Sequence, residues 1–269
     1  MYTIDTMITT IGIPFDQNSS FMQGPANAPG CIRNALHAPS SNLSTERGDD
    51  LSNHPRLLDV GDINPPEHGD WFSAITENID ALLAQHHQVL SLGGDHSVTY
   101  PIVKAFAAHH QPLTILHLDA HPDLYDELDG NRHSHACPFA RIMEEGLASR
   151  LVQVGIRTMN AHQRAQAERF GVEVFEMRCW QDYKRVPLEG AVYLSVDMDV
   201  LDPAFAPGVS HHEPGGLSTR DVLNIIHDIE RPLVGADIVE LNPSRDLQDV
   251  TAMAAAKVMK EIISNMLLA

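Results

Sequence analysis

Cysteine and basic residues are scarce in this sequence, and it lacks a long apolar run. The three cysteines, Cys31, Cys137 and Cys179, are widely spaced and form no CxxC pair, which argues against a disulfide framework. No stretch reaches the ~20 apolar residues of a membrane span. The opening MYTIDTMITT lacks the basic region and apolar run of a signal peptide. We therefore expect a soluble, cytoplasmic protein.

The shortage of basic residues gives the chain a strongly negative charge. There are 18 Lys and Arg against 36 Asp and Glu, for a net charge of −18. Such a surface repels nucleic acid and anionic membranes, so we expect neither as a partner, whereas a small cation is attracted.

What the sequence does contain is a regular alternation of short apolar runs and amphipathic stretches over its 269 residues. Several of the runs, such as LTILHL and AVYLSV, suit strands that are buried on both faces of a parallel sheet. We predict helices over 70–85, 218–229 and 251–268, and a single α/β domain over 1–269 with a mainly parallel sheet. The predicted strands are 7–13, 55–60, 88–92, 112–118, 150–154, 172–175, 191–196 and 233–239.

Three polar clusters directly follow predicted strands. They are GGDHS (93–97), DAHPD (119–123) and DMD (197–199). Ligands of open parallel sheets bind beyond the carboxyl ends of the strands, so the clusters should meet there. Alternate residues of an extended segment point the same way, which allows each cluster to converge on one point. The candidate ligands are His96, Asp119, His121, Asp123, Asp197 and Asp199.

Four carboxylates and two imidazoles on one rim would repel each other and lose solvation unless cations neutralised them. Taken singly, each cluster could be a turn or a helix cap; together they indicate a site for two divalent metals. A set rich in oxygen with some imidazole suits Mn²⁺, with Fe²⁺, Co²⁺ or Ni²⁺ possible. Two such ions would lower the pKa of a water held between them, which indicates hydrolysis.

These motifs also resemble a known family. GGDHS, DAHPD and SVDMDVLDPAFAPG are similar, in order and spacing, to the signature regions of the ureohydrolases, which include arginase and agmatinase. NSSFMQGPANAP, GNRHSHACPFARIMEEG, VSHHEPGGLSTRDVLNIIH and GADIVELNPSRD resemble the plant-type arginase branch. The resemblance covers nearly the whole chain, and it implies a three-layer α/β/α fold around the parallel sheet.

The resemblance further implies a dinuclear manganese site, with Asp119 and Asp197 bridging the two ions. One ion would also be held by His96 and Asp123, and the other by His121 and Asp199. It implies a homo-oligomer, a trimer or hexamer.

Three residues receive catalytic roles from the resemblance. Asp123 would pass a proton to the leaving amine, His135 would shuttle protons or steady the substrate, and Glu240 would pair with the guanidinium of a small cationic substrate. Glu240 has independent support, because it ends the apolar run LVGADIV at the same rim and a planar guanidinium calls for a carboxylate. Without the resemblance, Glu240 could equally be a surface or capping residue.

The substrate is less determined. Asn131 and Ser134 could donate to an α-carboxylate, and a similar GN-x-x-SHA pattern in plant-type arginases favours L-arginine, giving L-ornithine and urea. Asn131 could instead form only a turn with Gly130. His211, in VSHHEPGG, departs from the wider family pattern and is expected near the guanidino end.

Three alternatives stay open. Agmatine, giving putrescine and urea, is the second substrate candidate. A non-catalytic protein that stores or senses metal would need only the ligand cluster. A deacetylase-type hydrolase would hold one metal instead of two.

Overall fold

An eight-stranded parallel sheet organises the chain. The computed structural model describes residues 6–67, 70–185 and 187–269. Within them the strands lie in the order β2-β1-β3-β8-β7-β4-β5-β6, and each neighbouring pair is parallel. Their bounds are β1 Ile8–Gly12, β2 Leu57–Asp62, β3 Gln88–Leu92, β4 Leu113–Leu118, β5 Arg150–Ile156, β6 Glu173–Glu176, β7 Ala191–Asp197 and β8 Gly235–Val239.

Helices cover both faces of the sheet. One apolar core joins the sheet to α1, α6 and α7, and a second joins its other face to α2, α3 and α4. This is a three-layer α/β/α arrangement, as predicted. No helix in the described part of the chain is long and apolar enough to cross a membrane. The helices are α1 Ala28–Leu36, α2 Trp71–Leu83, α3 Thr99–His109, α4 Pro138–Glu144, α5 Ala161–Phe170, α6 Thr219–His227 and α7 Val250–Met266.

All eight predicted strands are confirmed. The bounds of β3 agree with the prediction, whereas β2 begins and ends two residues later than predicted. The centre of the sheet is predictable because β3, β4 and β8 are buried at every position, and a strand buried on both faces is an uninterrupted apolar run. Strand β2 lies at the edge and is mostly exposed, so its apolar pattern is weaker.

The three predicted helices are confirmed to within two residues at each end. Helix α6 is capped at its start: the Ser218 side chain accepts from the Asp221 backbone N–H, and the Asp221 side chain accepts in return from Ser218 N. This capping box fixes the first turn, which would otherwise leave backbone donors unpaired.

The strand order brings the three polar clusters together. Strands β3, β8, β7 and β4 are consecutive neighbours in the sheet, although they are distant in sequence. All run the same way, so the residues that follow them meet at one edge. GGDHS, Glu240 and DAHPD follow β3, β8 and β4, and the DMD cluster begins at Asp197, the last residue of β7.

Candidate metal centre

Gly94 allows the loop after β3 to lie against the loop after β1. A Cβ placed on Gly94 would lie 1.7 Å from the Phe15 carbonyl oxygen, a distance that no side chain tolerates. The glycine therefore allows a close approach of backbone to backbone, and Asp95 N donates to the Phe15 carbonyl at 3.0 Å. The Asp95 side chain then caps the 3-10 turn His96–Val98, which turns the His96 ring inward.

The His96 ring faces three carboxylates. Its Nδ1 lies 3.2 Å from Asp119 Oδ2, 3.0 Å from Asp123 Oδ2 and 3.1 Å from Asp197 Oδ2. His96 and Asp119 are fully buried, and Asp123 and Asp197 nearly so. Burial alone would lower the pKa of His96, but the three carboxylates raise it well above its usual value.

The other ring nitrogen of His96 is fixed by a buried network. Ser195 Oγ donates to Asp237 Oδ1 at 2.6 Å and lies 3.1 Å from His96 Nε2. Because the serine proton goes to the carboxylate, Ser195 accepts from Nε2–H. In the neutral ring Nδ1 then carries a lone pair, and this buried atom has no hydrogen-bond partner among the described residues.

A lone pair aimed at three carboxylate oxygens fits a cation between them. A neutral imidazole nitrogen and carboxylate oxygens are the ligands that a hard or borderline divalent metal prefers. The Ser195–Asp237 pair is the kind of outer partner that orients a ligating histidine. The residues present therefore fit a metal ion at His96.

A second group shares Asp119 with the first. His121 Nδ1 lies 3.0 Å from Asp199 Oδ2 and 3.5 Å from Asp119 Oδ1. Asp119 thus turns one oxygen toward each histidine, as a bridging carboxylate would. Burial, with the neighbouring Asp199 and Asp119 carboxylates, raises the pKa of Asp197 well above its usual value. The concentration of negative charge indicates two cation positions.

One carboxylate adjoining the cluster is held by hydrogen bonds from other residues. Glu240 Oε1 accepts from the His96 backbone N–H at 2.9 Å and lies 2.8 Å from His135 Nδ1. Neither contact uses Oε2. Burial lowers the pKa of His135, but the carboxylates of Glu240, Asp123 and Asp95 together raise it to about 9. The predicted residues Glu240 and His135 therefore form a buried pair beside the ligand cluster.

Two of the carboxylate residues have a strained backbone. Asp123 has φ +48° and Glu240 has φ +64°, in the left-handed region that residues with a side chain rarely adopt. Such conformations cluster at functional sites, where the surrounding structure holds them.

A cavity of about 170 Å³ opens onto the cluster. Its lining includes His121, Asp123, His135, Glu240 and His211. The His211 ring is 5.2 Å from the His135 ring and 6.0 Å from the His121 ring, between centroids. Sequence analysis missed several other lining residues: Ser20, Tyr125, Leu128, Ala136, Thr158 and Gln163.

Asn131 and Ser134 are not among the described residues that line this cavity. Asn131 Nδ2 donates to Asn18 Oδ1 at 3.0 Å, and Asn131 lines a separate cavity of about 940 Å³. Ser134 is 3% exposed, and its hydroxyl accepts from Ala136 N. The larger cavity lacks the ligand cluster, so the smaller one is the candidate site.

A buried partner of Asp119 was also missed. His117 Nε2 lies 2.8 Å from Asp119 Oδ2, and its Nδ1 lies 3.0 Å from Gln153 Nε2. Because Gln153 Nε2 also donates to the Pro122 carbonyl, it is a donor to His117, whose proton is then on Nε2. A histidine two positions before Asp119 in an extended strand was the available signal, since such residues share a face.

The chain matches known proteins along most of its length. Residues 6–264 match the Arginase family. The chain is 50% identical over 270 residues to mitochondrial arginase 1 of Arabidopsis thaliana, covering 94% of this chain and 79% of that protein. It is 35% identical over 272 residues to the mitochondrial agmatinase of Gallus gallus, covering 94% and 79%. The solved arginase of Medicago truncatula superposes with a TM-score of 0.91 at 43% identity, covering 97% and 88%.

These similarities correct one expectation. The prediction of a cytoplasmic protein is contradicted, because the plant relatives are named as mitochondrial proteins. The widely spaced cysteines and the lack of a long apolar run, on which that prediction partly rested, do not specify a compartment.

Proposed function

Because this chain belongs to the arginase family, we propose that it hydrolyses L-arginine to L-ornithine and urea at the metal centre. The chain is a ureohydrolase, an enzyme that acts on linear amidines. The observation that carries the proposal is the Glu240 carboxylate, fixed by two donors on one oxygen and adjoining a cluster fit for two cations.

We assign two Mn²⁺ ions to the centre, with Fe²⁺, Co²⁺ or Ni²⁺ as other possible occupants. When bound, two such ions supply Lewis acidity and a water of lowered pKa. His96 and Asp123 would hold one ion, His121 and Asp199 the other, with Asp119 and Asp197 shared between them.

Glu240 would orient the substrate. Its Oε1 is taken up by His96 N and His135 Nδ1, which leaves Oε2 for a guanidinium N–H. A charge-assisted bond of this kind is stronger than a neutral one. The electrophilic carbon is thereby presented to the cluster.

Two residues beside Glu240 would handle protons. Asp123 lines the cavity, and we assign to it proton transfer to the leaving nitrogen. His135 is paired to Glu240 and lines the same cavity, so it can hold a proton close to the scissile bond. General acid–base groups must lie within reach of the reacting atoms in this way.

For the α-carboxylate of arginine we propose Tyr125, Thr158 and Gln163 in place of Asn131 and Ser134. Asn160 Nδ2 donates to the Tyr125 hydroxyl at 2.7 Å, which leaves the hydroxyl proton free to donate into the cavity. A carboxylate accepts only, so it needs such donors.

Agmatine remains the second candidate for a specific reason. No Lys or Arg occurs among the described residues that line the cavity, so the α-carboxylate would meet no lysine or arginine there.

Steady-state rates with both substrates, on the Mn²⁺-loaded enzyme, test the proposal. We expect kcat/KM for arginine to exceed that for agmatine. The Tyr125→Phe substitution should raise KM for arginine and so reduce the ratio of the two kcat/KM values. A larger kcat/KM for agmatine would overturn the arginine assignment while leaving the ureohydrolase chemistry intact.

A further inference from the structure

The loop of residues 16–24 is closed on itself and tied down beside the cavity. Asp16 Oδ2 accepts from Gly24 N at 2.7 Å and from Ala26 N at 3.2 Å, which joins the two ends of the loop. In its middle, Asn18 N donates to the buried Asp95 carboxylate at 2.9 Å. The loop is therefore held by hydrogen bonds at its base and at its centre.

This anchoring places one hydroxyl against the catalytic imidazole. Ser20 Oγ lies 2.8 Å from His135 Nε2, and the Asn18 carbonyl accepts from His135 N at 3.1 Å. The opposite ring nitrogen, Nδ1, lies 2.8 Å from Glu240 Oε1. The ring is thus gripped at both nitrogens, in a chain that runs Glu240–His135–Ser20.

The donors in this chain follow from chemistry. An ionised carboxylate only accepts, so Nδ1 of His135 carries a proton toward Glu240. In the neutral ring Nε2 is then an acceptor, and the Ser20 hydroxyl donates to it. In the protonated ring Nε2–H donates, and the same hydroxyl accepts. One rotating hydroxyl therefore satisfies both states of the ring.

Ser20 also reaches the outside. The residue is exposed, whereas His135 is 8% exposed, and both line the cavity. Among the described residues, the Ser20 hydroxyl is the group that contacts Nε2 of His135. It therefore lies between the buried ring and the water at the mouth of the cavity.

We propose that Ser20 is a positioning residue and proton relay for His135: its hydroxyl holds the imidazole against Glu240 and connects Nε2 to the mouth of the cavity. In the transfer, the Nε2–H bond breaks as Oγ takes that proton, and the proton that Oγ carried passes to water. The reverse sequence reprotonates the ring. The inference rests on the proposed ureohydrolase function.

The test compares Ser20→Ala and Ser20→Thr with the matched control Ser19→Ala. Ser19 Oγ bonds to Asp95 at 3.3 Å in the same loop but does not contact His135. We expect Ser20→Ala to lower kcat about tenfold, because it weakens a general acid–base group worth ~10²–10⁴ in rate, and to change KM by less than about threefold. Ser20→Thr keeps the hydroxyl and should restore kcat, and Ser19→Ala should stay near the wild type.

Other outcomes would overturn the proposal. A wild-type kcat in Ser20→Ala, a change in KM alone, or no rescue by threonine would show that the hydroxyl does not act through His135. An equal loss in Ser19→Ala would show that the loop acts only as a scaffold. Metal content and melting temperature of each variant separate these results from misfolding.

The substrate outcome is distinguishable from this one. Ser20 acts at the guanidino end, so the same kcat ratios are expected with agmatine if the wild type proves to prefer it. If the metal-loaded wild type hydrolyses neither compound, the proposed function and this inference both fall. If the wild type is active and Ser20→Ala equals it, only this inference falls.

Discussion

Glu240 shows how a single side chain can be assigned a function. Its backbone is strained at φ +64°, the residue is 4% exposed, and the donors from His96 and His135 both fall on one oxygen. A residue that served only stability would not need this combination. From the sequence, its position after an apolar run was the only physical signal, because the contacts with His96 and His135 join distant parts of the chain.

Replacing Glu240 with Gln tests its role directly. The amide keeps the size of the side chain but loses its negative charge. Its hydrogen bond to a guanidinium is therefore weaker than the charge-assisted bond that the carboxylate would make. We expect kcat/KM for arginine to fall by about 10- to 100-fold, since such bonds contribute ~1.5–3 kcal/mol. Metal content by elemental analysis should stay at the wild-type value. Full activity in this variant would show that Glu240 does not take part in substrate binding.

The residues around the metal ligands divide into those that sequence can find and those that it cannot. The six candidate ligands stand at or just after the ends of apolar strands, so period and position single them out in the sequence. Ser195 and Asp237 act on His96 across neighbouring strands, and no local pattern encodes that pairing. Asn131, which the sequence motif also singles out, lines the larger cavity among the described residues.

At the scale of elements, the sheet was more predictable than the helices. Strands buried on both faces give uninterrupted apolar runs. By contrast, only three of the seven described helices had an amphipathic pattern clear enough to predict where the helix begins and ends. Helix α5 is polar along most of its length, and its usable signal was the capping box between Asn160 and Gln163. The order of the strands could not be predicted from the sequence, because β8 inserts between β3 and β7.

The tight turn after β3 gives a prediction at this scale. Gly94→Ala would push a methyl group into the Phe15 carbonyl and displace the loop that carries His96. We expect weaker metal binding and a lower melting temperature, as measured by metal titration and thermal unfolding.

Gly30→Ala is the matched control. Gly30 lies within α1, and a Cβ there meets no atom within 4 Å. Alanine also has the higher helix propensity, by up to ~1 kcal/mol, so this variant should be as stable as the wild type or more so. Equal behaviour of the two variants would contradict the packing role of Gly94.

At the scale of the whole molecule, some of the ion pairs that stabilise the fold include no residue of the candidate site. An ion-pair network that includes none of the cavity-lining residues joins a loop to two helices: Glu46 pairs with Arg220 on α6 and with Lys257 on α7. The Arg220 guanidinium and the Lys257 ammonium lower the pKa of Glu46 to about 2 against the effect of burial.

This network predicts a pH-dependent contribution to stability. The folded pKa of Glu46 is below its unfolded value near 4.5, so the contribution is full above that pH and is lost as pH falls toward 2. Glu46→Gln should lower the free energy of unfolding by about 0.5–1 kcal/mol at pH 7, the scale of a partly exposed pair. Denaturant unfolding at pH 7 and pH 3 measures this. A difference that does not shrink at the lower pH would contradict the account, and arginine hydrolysis at pH 7 should be unchanged.

The most direct test of the whole account is the metal content of the active enzyme. The protein, loaded with Mn²⁺, freed of excess ion by gel filtration and confirmed to hydrolyse arginine, is analysed for metal per chain. We predict two ions per chain, and loss of activity when a chelator removes them. One ion per chain, or activity that persists without metal, would contradict the claim that these loops form a two-metal centre.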